Sequence, residues 1–164
     1  MQTFTIETKG EPCRIYVGKK IEELDDMLPA HAIIITDENV DGIYGRYLKK
    51  RNKIVIGMGE ANKTLATINF IYDRLLHFGV DRSGFILGVG GGIVCDIAGF
   101  AASTYLRGID FAFAPTTLLA QVDAAIGGKN GVNFKGFKNM VGTFNQPRFI
   151  LSDPAVLKTL PPEE

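Results

Sequence analysis

Residues 88–115 read GVGGGIVCDIAGFAASTYLRGIDFAFAP, Gly88 to Pro115. An apolar strand signal, Phe85-Ile86-Leu87, runs into Gly88, Gly90, Gly91 and Gly92, and a helical spacing of Ile93, Val94, Ile97, Ala98 and Ala101 follows. Strand, glycine turn and helix come in that order. The first backbone N–H groups of a helix have no partner inside it, and the helix dipole is positive there. Glycines let a bulky anion approach those groups, so the stretch reads as a cradle for a phosphorylated cofactor or substrate. The alternative is a tight strand-to-helix turn whose glycines serve close packing. The dinucleotide fingerprint G-x-G-x-x-G is incomplete, because Ile93 stands where its third glycine belongs.

Outward from this unit the same grammar repeats. Ala32–Thr36 (AIIIT) and Lys53–Gly57 (KIVIG) are continuous apolar, β-branched runs, as expected of strands covered on both faces. Asp110–Pro115 (DFAFAP) reads as a further strand. Helical patterns cover 19–28, 40–51 and 63–78, and Thr116 and Thr117 open another with Leu118, Leu119 and Val122. Two early short strands, Thr3–Thr8 and Arg14–Gly18, suit a hairpin. The fold class is therefore α/β: a Rossmann-like, doubly wound, mostly parallel sheet with helices on both faces and an early β-hairpin.

The 164 residues favour one domain. Lys plus Arg (18) equals Asp plus Glu (18), so no basic field argues for nucleic acid. No apolar run reaches the length of a membrane span, and the N-terminus carries no basic-then-apolar leader pattern. Two cysteines build no disulfide framework, which suits a reduced, cytoplasmic setting. His31 and His77 stand apart from any carboxylate or thiol cluster, so no metal site is expected within the chain.

Three further places carry polar chemistry. Asp37 follows an apolar strand, where open α/β sheets bind ligands; capping of the next helix explains it equally well. Glu60 and Lys63 follow Gly57-Met58-Gly59, and read either as ligand contacts or as a solvated pair. Residues 126–142, IGGKNGVNFKGFKNMVG, combine Lys129, Lys135 and Lys138 with Asn130, Asn133 and Asn139 in a glycine frame. We expect a long functional loop without regular structure there, suited to an anionic, oxygen-rich ligand. It is no nucleoside triphosphate loop, because Asp123 and Asn130 replace the first glycine and the final hydroxyl of that motif.

Four ordered blocks, GGGIVCDIAGFAASTYLRG, PTTLLAQVDAAIGGK, KNMVGTFNQP and LKTLPPEE, resemble the 3-dehydroquinate synthase family, closely from Gly90 to Glu164 and more weakly before it. The resemblance implies a Rossmann-like N-terminal domain that binds NAD, spanning 1–164, and a helical C-terminal domain beyond Glu164 that holds a divalent metal, zinc or cobalt. It implies that Asp37, Glu60 and Lys63 hold the adenosine side of NAD. Gly91, Gly92, Ile93, Val94 and Asp96 would contact the cofactor, as would Thr116, Thr117, Lys129, Lys138, Thr159, Leu160 and Glu164. Asp123, Lys129 and Asn139 would touch a sugar-phosphate substrate, 3-deoxy-D-arabino-heptulosonate 7-phosphate. Arg107 would reach substrate phosphate in the neighbouring subunit of a homodimer. The chain alone is expected to be inactive. Other sugar-phosphate cyclases share this frame, and a stand-alone nucleotide-binding module is the second alternative. Cys95, Asn130, Phe134 and Phe137 depart from the family pattern, which has glycine, threonine, histidine and glycine there.

Overall fold

The computed structural model describes residues 1–8 and 10–161. Strands β1 (Gln2–Ile6) and β2 (Cys13–Val17) form the expected antiparallel hairpin. A 3₁₀ turn, Ile21–Glu23, leads into a single-turn α1 (Leu24–Met27). Then come β3 (Ala32–Asp37), α2 (Glu38–Tyr44), β4 (Lys53–Ile56), α3 (Leu65–His77), β5 (Phe85–Gly90), α4 (Gly92–Thr104) and β6 (Asp110–Pro115). A short helical segment over 118–124 precedes β7 (Lys129–Phe134) and β8 (Phe137–Phe144), and β9 (Phe149–Ser152) follows.

The main sheet has seven strands in the order β1-β2-β9-β6-β5-β3-β4, parallel throughout except for the β1–β2 pair. The period-two pleat sends alternate side chains to opposite faces. Ile33, Ile35, Ile86, Phe111, Phe113 and Ile150 pack with α3 and α4, while Ala32, Ile34, Leu87, Ala112, Ala114 and Leu151 pack with α1 and α2. Both faces are buried, which is why the strands read as unbroken apolar runs. Ile34, Ile35, Ile86 and Leu87 are fully buried, each worth roughly 1.5–3 kcal/mol over an exposed side chain.

The chain adds β4 on one side of β3, then returns to place β5 on the other. A right-handed crossover obliges the connecting helix to change faces when the direction reverses. α2 accordingly lies on one face and α3 and α4 on the other. The reversal makes a switch point between the C-terminal ends of β3 and β5, where open α/β sheets leave a crevice.

The helix expected over 19–28 is shorter, a 3₁₀ turn at Ile21–Glu23 running straight into α1 to Met27, and that over 40–51 ends as α-helix at Tyr44 and continues as 3₁₀ over Gly45–Leu48. The larger correction is the 126–142 region. It is a β-hairpin, not an irregular loop: β7 and β8 pair antiparallel around Lys135-Gly136, both left-handed (φ 48° and 82°). Two left-handed central residues make the turn that matches strand twist. Gly142 and Gly131 face each other so closely that a side chain on either would strike backbone of the opposite strand.

Candidate functional site

The C-terminal ends of β3, β4, β5 and β6 open onto a cleft of about 440 Å³ at the switch point. Asp37 lines it from the end of β3, Gly57-Met58-Gly59 from the end of β4, and Gly91 to Val94 from the start of α4. Thr116 and Thr117 close it after β6, with Thr159, Leu160 and Pro161 at the far rim. α4 starts at Gly91, which is extended (φ −71°, ψ −175°) and offers no side-chain cap. The leading N–H groups of the helix therefore point at the cleft end without a side chain to satisfy them. Gly88 and Gly90 do different work. A methyl on Gly88 would press Ala98 and Phe113, and one on Gly90 would overlap Val94. These two bring α4 tight against β5, while Gly91 and Gly92 leave the cleft wall low.

Asp37 caps α2 and also lies on the cleft wall. Its Oδ1 accepts the Val40 N–H at 2.8 Å, capping α2, and the carboxylate still borders the cleft. Thr116 is held by its own N–H, which donates to the Gly90 carbonyl at 2.9 Å. Buried Gln121 ties the adjoining loop down, donating to the carbonyls of Pro115 (3.2 Å) and Asp153 (3.1 Å). Tyr44, which the sequence did not mark as a site residue, lines the cleft and shares a 2.8 Å hydrogen bond with the Thr159 hydroxyl. Only the helical periodicity of Tyr44 was visible in sequence, and that points to core.

A second cavity, about 480 Å³, borders α4 at Asp96, in its second turn. Asp96, Asp123, Lys129, Asn130, Asn139 and Thr143 line it. Lys63 braces two of these lining residues from behind: its ammonium donates to Asp96 Oδ2 at 2.5 Å and to Asn139 Oδ1 at 2.6 Å, and the side chain is only 6% exposed. Burial raises the Asp96 carboxyl above the usual carboxylate range against the pull of Lys63. Asn130 donates to the carbonyls of Gly128 (3.0 Å) and Asn145 (2.9 Å), while its own oxygen stays buried without a hydrogen-bond partner.

The structure thus divides the predicted residues into two groups. Asp37, Gly91, Gly92, Ile93, Val94, Thr116, Thr117, Thr159 and Leu160 share the switch-point cleft, and Asp96, Asp123, Lys129 and Asn139 share the second cavity. Glu60 and Lys63 do not join Asp37 on the cleft wall. Lys63 turns inward to Asp96 and Asn139, and Glu60 accepts from the Asn133 amide at 2.7 Å. The pair is therefore not simply solvated either. Lys138 is exposed on β8 and borders neither cavity. Arg107 is exposed outside both, in a left-handed conformation next to left-handed Leu106 (φ 70° and 50°). Glu164 lies outside the described residues.

The 3-dehydroquinate synthase N-terminal family model matches residues 53–164. The chain belongs to the 3-dehydroquinate synthase family. A 3-dehydroquinate synthase of Ruminiclostridium cellulolyticum is 49% identical over 98% of this chain and 48% of its own length. The chain therefore spans about half the length of the curated relatives it matches. A 2-deoxy-scyllo-inosose synthase solved with carbaglucose-6-phosphate, NAD+ and Co2+ superimposes with TM-score 0.87 at 29% identity, over 98% of this chain and 48% of the other. A 2-epi-5-epi-valiolone synthase of Streptomyces hygroscopicus with NAD+ and Zn2+ bound gives TM-score 0.82 at 31% identity, over 98% and 47%.

Membership of the 3-dehydroquinate synthase family fits the architecture, a mostly parallel sheet opening at its switch point beside a polar cavity. Among the described residues, no three His, Cys, Asp or Glu side chains gather to hold a metal ion, and no helix is long and apolar enough to cross a membrane.

Proposed function

We propose that this chain is the NAD-binding half of a 3-dehydroquinate synthase, whose whole protein converts 3-deoxy-D-arabino-heptulosonate 7-phosphate to 3-dehydroquinate with loss of phosphate. One observation carries the reading: the two cavities border the first two turns of α4, with Ile93 and Val94 lining one and Asp96 the other. A dinucleotide site and a site for a hydroxylated anion are thereby neighbours.

In this reading the N–H groups opening α4 at Gly92 and Ile93 hold the pyrophosphate, where the helix dipole favours negative charge. Asp37 accepts from ribose hydroxyls with the oxygen that does not cap α2. Thr116, Thr117, Thr159 and Leu160 border the rest of the cofactor. NAD, when bound, supplies a reversible hydride acceptor, so that oxidation and reduction cancel over the reaction. Lys129 places positive charge at the substrate cavity, Asp123 and Asn139 bind substrate hydroxyls, and Lys63 with Asp96 sets the polarity of the wall between the two cavities. Lys138 and Glu60 are peripheral to this assignment. Arg107, outside both cavities, is free to serve the neighbouring subunit of a cytoplasmic homodimer. The zinc or cobalt implied by the family has no ligand set among the described residues, and its ligands are assigned to polypeptide beyond this chain.

Calorimetric titration with NAD, followed by a phosphate-release assay, tests the proposal. Saturable NAD binding without phosphate release from the chain alone is expected. No NAD binding at millimolar concentration, or release at enzyme-like rates from the chain alone, would overturn it.

A further inference from the structure

The β7–β8 hairpin is irregular at one place. Val132 pairs with Val141 and Phe134 with Phe137, so the single residue Asn133 faces three, Lys138 to Met140. Asn139, at the centre of this bulge, is left-handed (φ 53°). Bulges beside sites re-aim side chains, and a left-handed non-glycine residue persists only where its surroundings hold it. Asn133 supplies that hold. Its Oδ1 accepts the Asn139 N–H at 2.9 Å, a donor that the bulge has removed from the ladder. Its Nδ2 donates to Glu60 Oε1 at 2.7 Å, and its backbone N–H donates to the Lys63 carbonyl at 2.9 Å. The orientation of the amide follows from chemistry, because a backbone N–H needs the oxygen and a carboxylate needs the NH2. Asn139, so held, places its own Oδ1 on the Lys63 ammonium at 2.6 Å.

We propose that Asn133 is a positioning residue: by fixing the left-handed backbone of Asn139 and anchoring the hairpin to the 60–63 loop, it sets the geometry of Asn139, braced by Lys63, on the cavity wall that an anionic, hydroxylated substrate meets. The proposal rests on the functional reading above only for the identity of that substrate. Asn133 borders neither cavity. Its effect passes through Asn139 and Lys63, and it should leave the switch-point cleft alone.

The test uses the 164-residue chain. Backbone amide exchange is followed by NMR, with separate titrations of NAD and of 3-deoxy-D-arabino-heptulosonate 7-phosphate. Asn133→Ala should speed exchange of the Asn139 amide and weaken the sugar phosphate roughly tenfold, the size of one lost polar contact, with NAD affinity unchanged. The double variant Asn133→Asp with Glu60→Gln keeps an acceptor for Asn139 and a donor–acceptor pair at position 60, and should restore both. Unchanged exchange and affinity in Asn133→Ala would overturn the proposal. So would NAD and sugar-phosphate affinities falling together without rescue, which marks a merely structural residue. A wild-type chain that binds neither ligand would instead refute the functional reading, and the exchange rates would still decide whether Asn133 holds Asn139.

Discussion

Lys63 and Asp96 form an ion pair at 2.5 Å that joins the loop after β4 to the second turn of α4, with the two side chains 6% and 19% exposed. Breaking a buried pair costs more than replacing it, because the remaining charge is stranded. Lys63→Met should therefore lower stability at neutral pH by about 2–3 kcal/mol. The lone Asp96 then feels burial without its counter-charge, so its folded pKa rises further above the ordinary 3.8. A raised carboxylate contributes stability that is complete below the unfolded value and is lost as pH rises through the folded one. The deficit of Lys63→Met should shrink toward about pH 4, and Lys63→Met with Asp96→Asn should recover most of it at neutral pH. Urea unfolding at both pH values checks this; a deficit independent of pH would count against the stranded charge.

Gly99 sits mid-helix, where glycine costs about 1 kcal/mol relative to alanine. The structure gives the reason: a methyl there would overlap the Asn130 amide on β7 and approach the Phe113 ring to 3.0 Å. Gly99→Ala should destabilise by about 1–2 kcal/mol, overpacking outweighing helix propensity. Asn130→Gly removes the overlapped group and should return part of that loss when combined with Gly99→Ala. A denaturant double-mutant cycle reads the coupling, and simple additivity would show that the hairpin does not dock through this contact.

Most of the frame was legible before any coordinates. Ala32–Thr36, Lys53–Gly57 and Phe85–Gly90 announce buried parallel strands because both faces are covered, and the glycines after Leu87 mark the strand-to-helix turn. The β7–β8 hairpin was hidden because its turn is Lys-Gly and its glycines serve close strand contact, so neither alternation nor a familiar turn pair appears. β9 is four residues long, too short to display a period. The partners of Lys63 were illegible for a different reason. Asp96 and Asn139 are 33 and 76 positions away in sequence, and only the crossover through α3 and the bulge in β8 bring them together.

Gly92 tests the proposed dinucleotide cleft directly. A Cβ at Gly92 would already touch the Ala124 methyl at 3.1 Å, and at Gly91 it would touch Thr117 Cγ2 at 3.1 Å. Gly92→Val adds an isopropyl group at the start of α4, where Gly92 lines the cleft beside the proposed pyrophosphate site. NAD affinity should fall by at least about thirtyfold, roughly 2 kcal/mol, while Tm moves by only a few degrees. Calorimetry and thermal melts separate the two effects. Unimpaired NAD binding would remove the helix start from the cofactor site.

The acid side of the stability profile should be set in part by a contact far from both cavities. Arg51 donates through Nε to Asp25 Oδ1 at 2.8 Å and through its other nitrogens to the carbonyls of Asp25, Leu28 and Pro29, closing the end of single-turn α1. Hydrogen bonding from Arg51, with Lys50 also close, holds the Asp25 carboxyl below its ordinary 3.8. A depressed carboxylate contributes stability that is present above the unfolded value and is lost as pH falls through the folded one. Asp25→Asn should therefore cost about 1 kcal/mol at neutral pH, and its stability curve should converge on that of the unaltered chain as pH falls below 3.8 and through the depressed folded value. Arg51→Ala removes the carbonyl contacts as well and should cost about 2 kcal/mol, part of which persists in acid. Thermal melts between neutral pH and about pH 3 measure both curves; parallel curves for Asp25→Asn and the unaltered chain would show that this carboxylate is not what acid disarms.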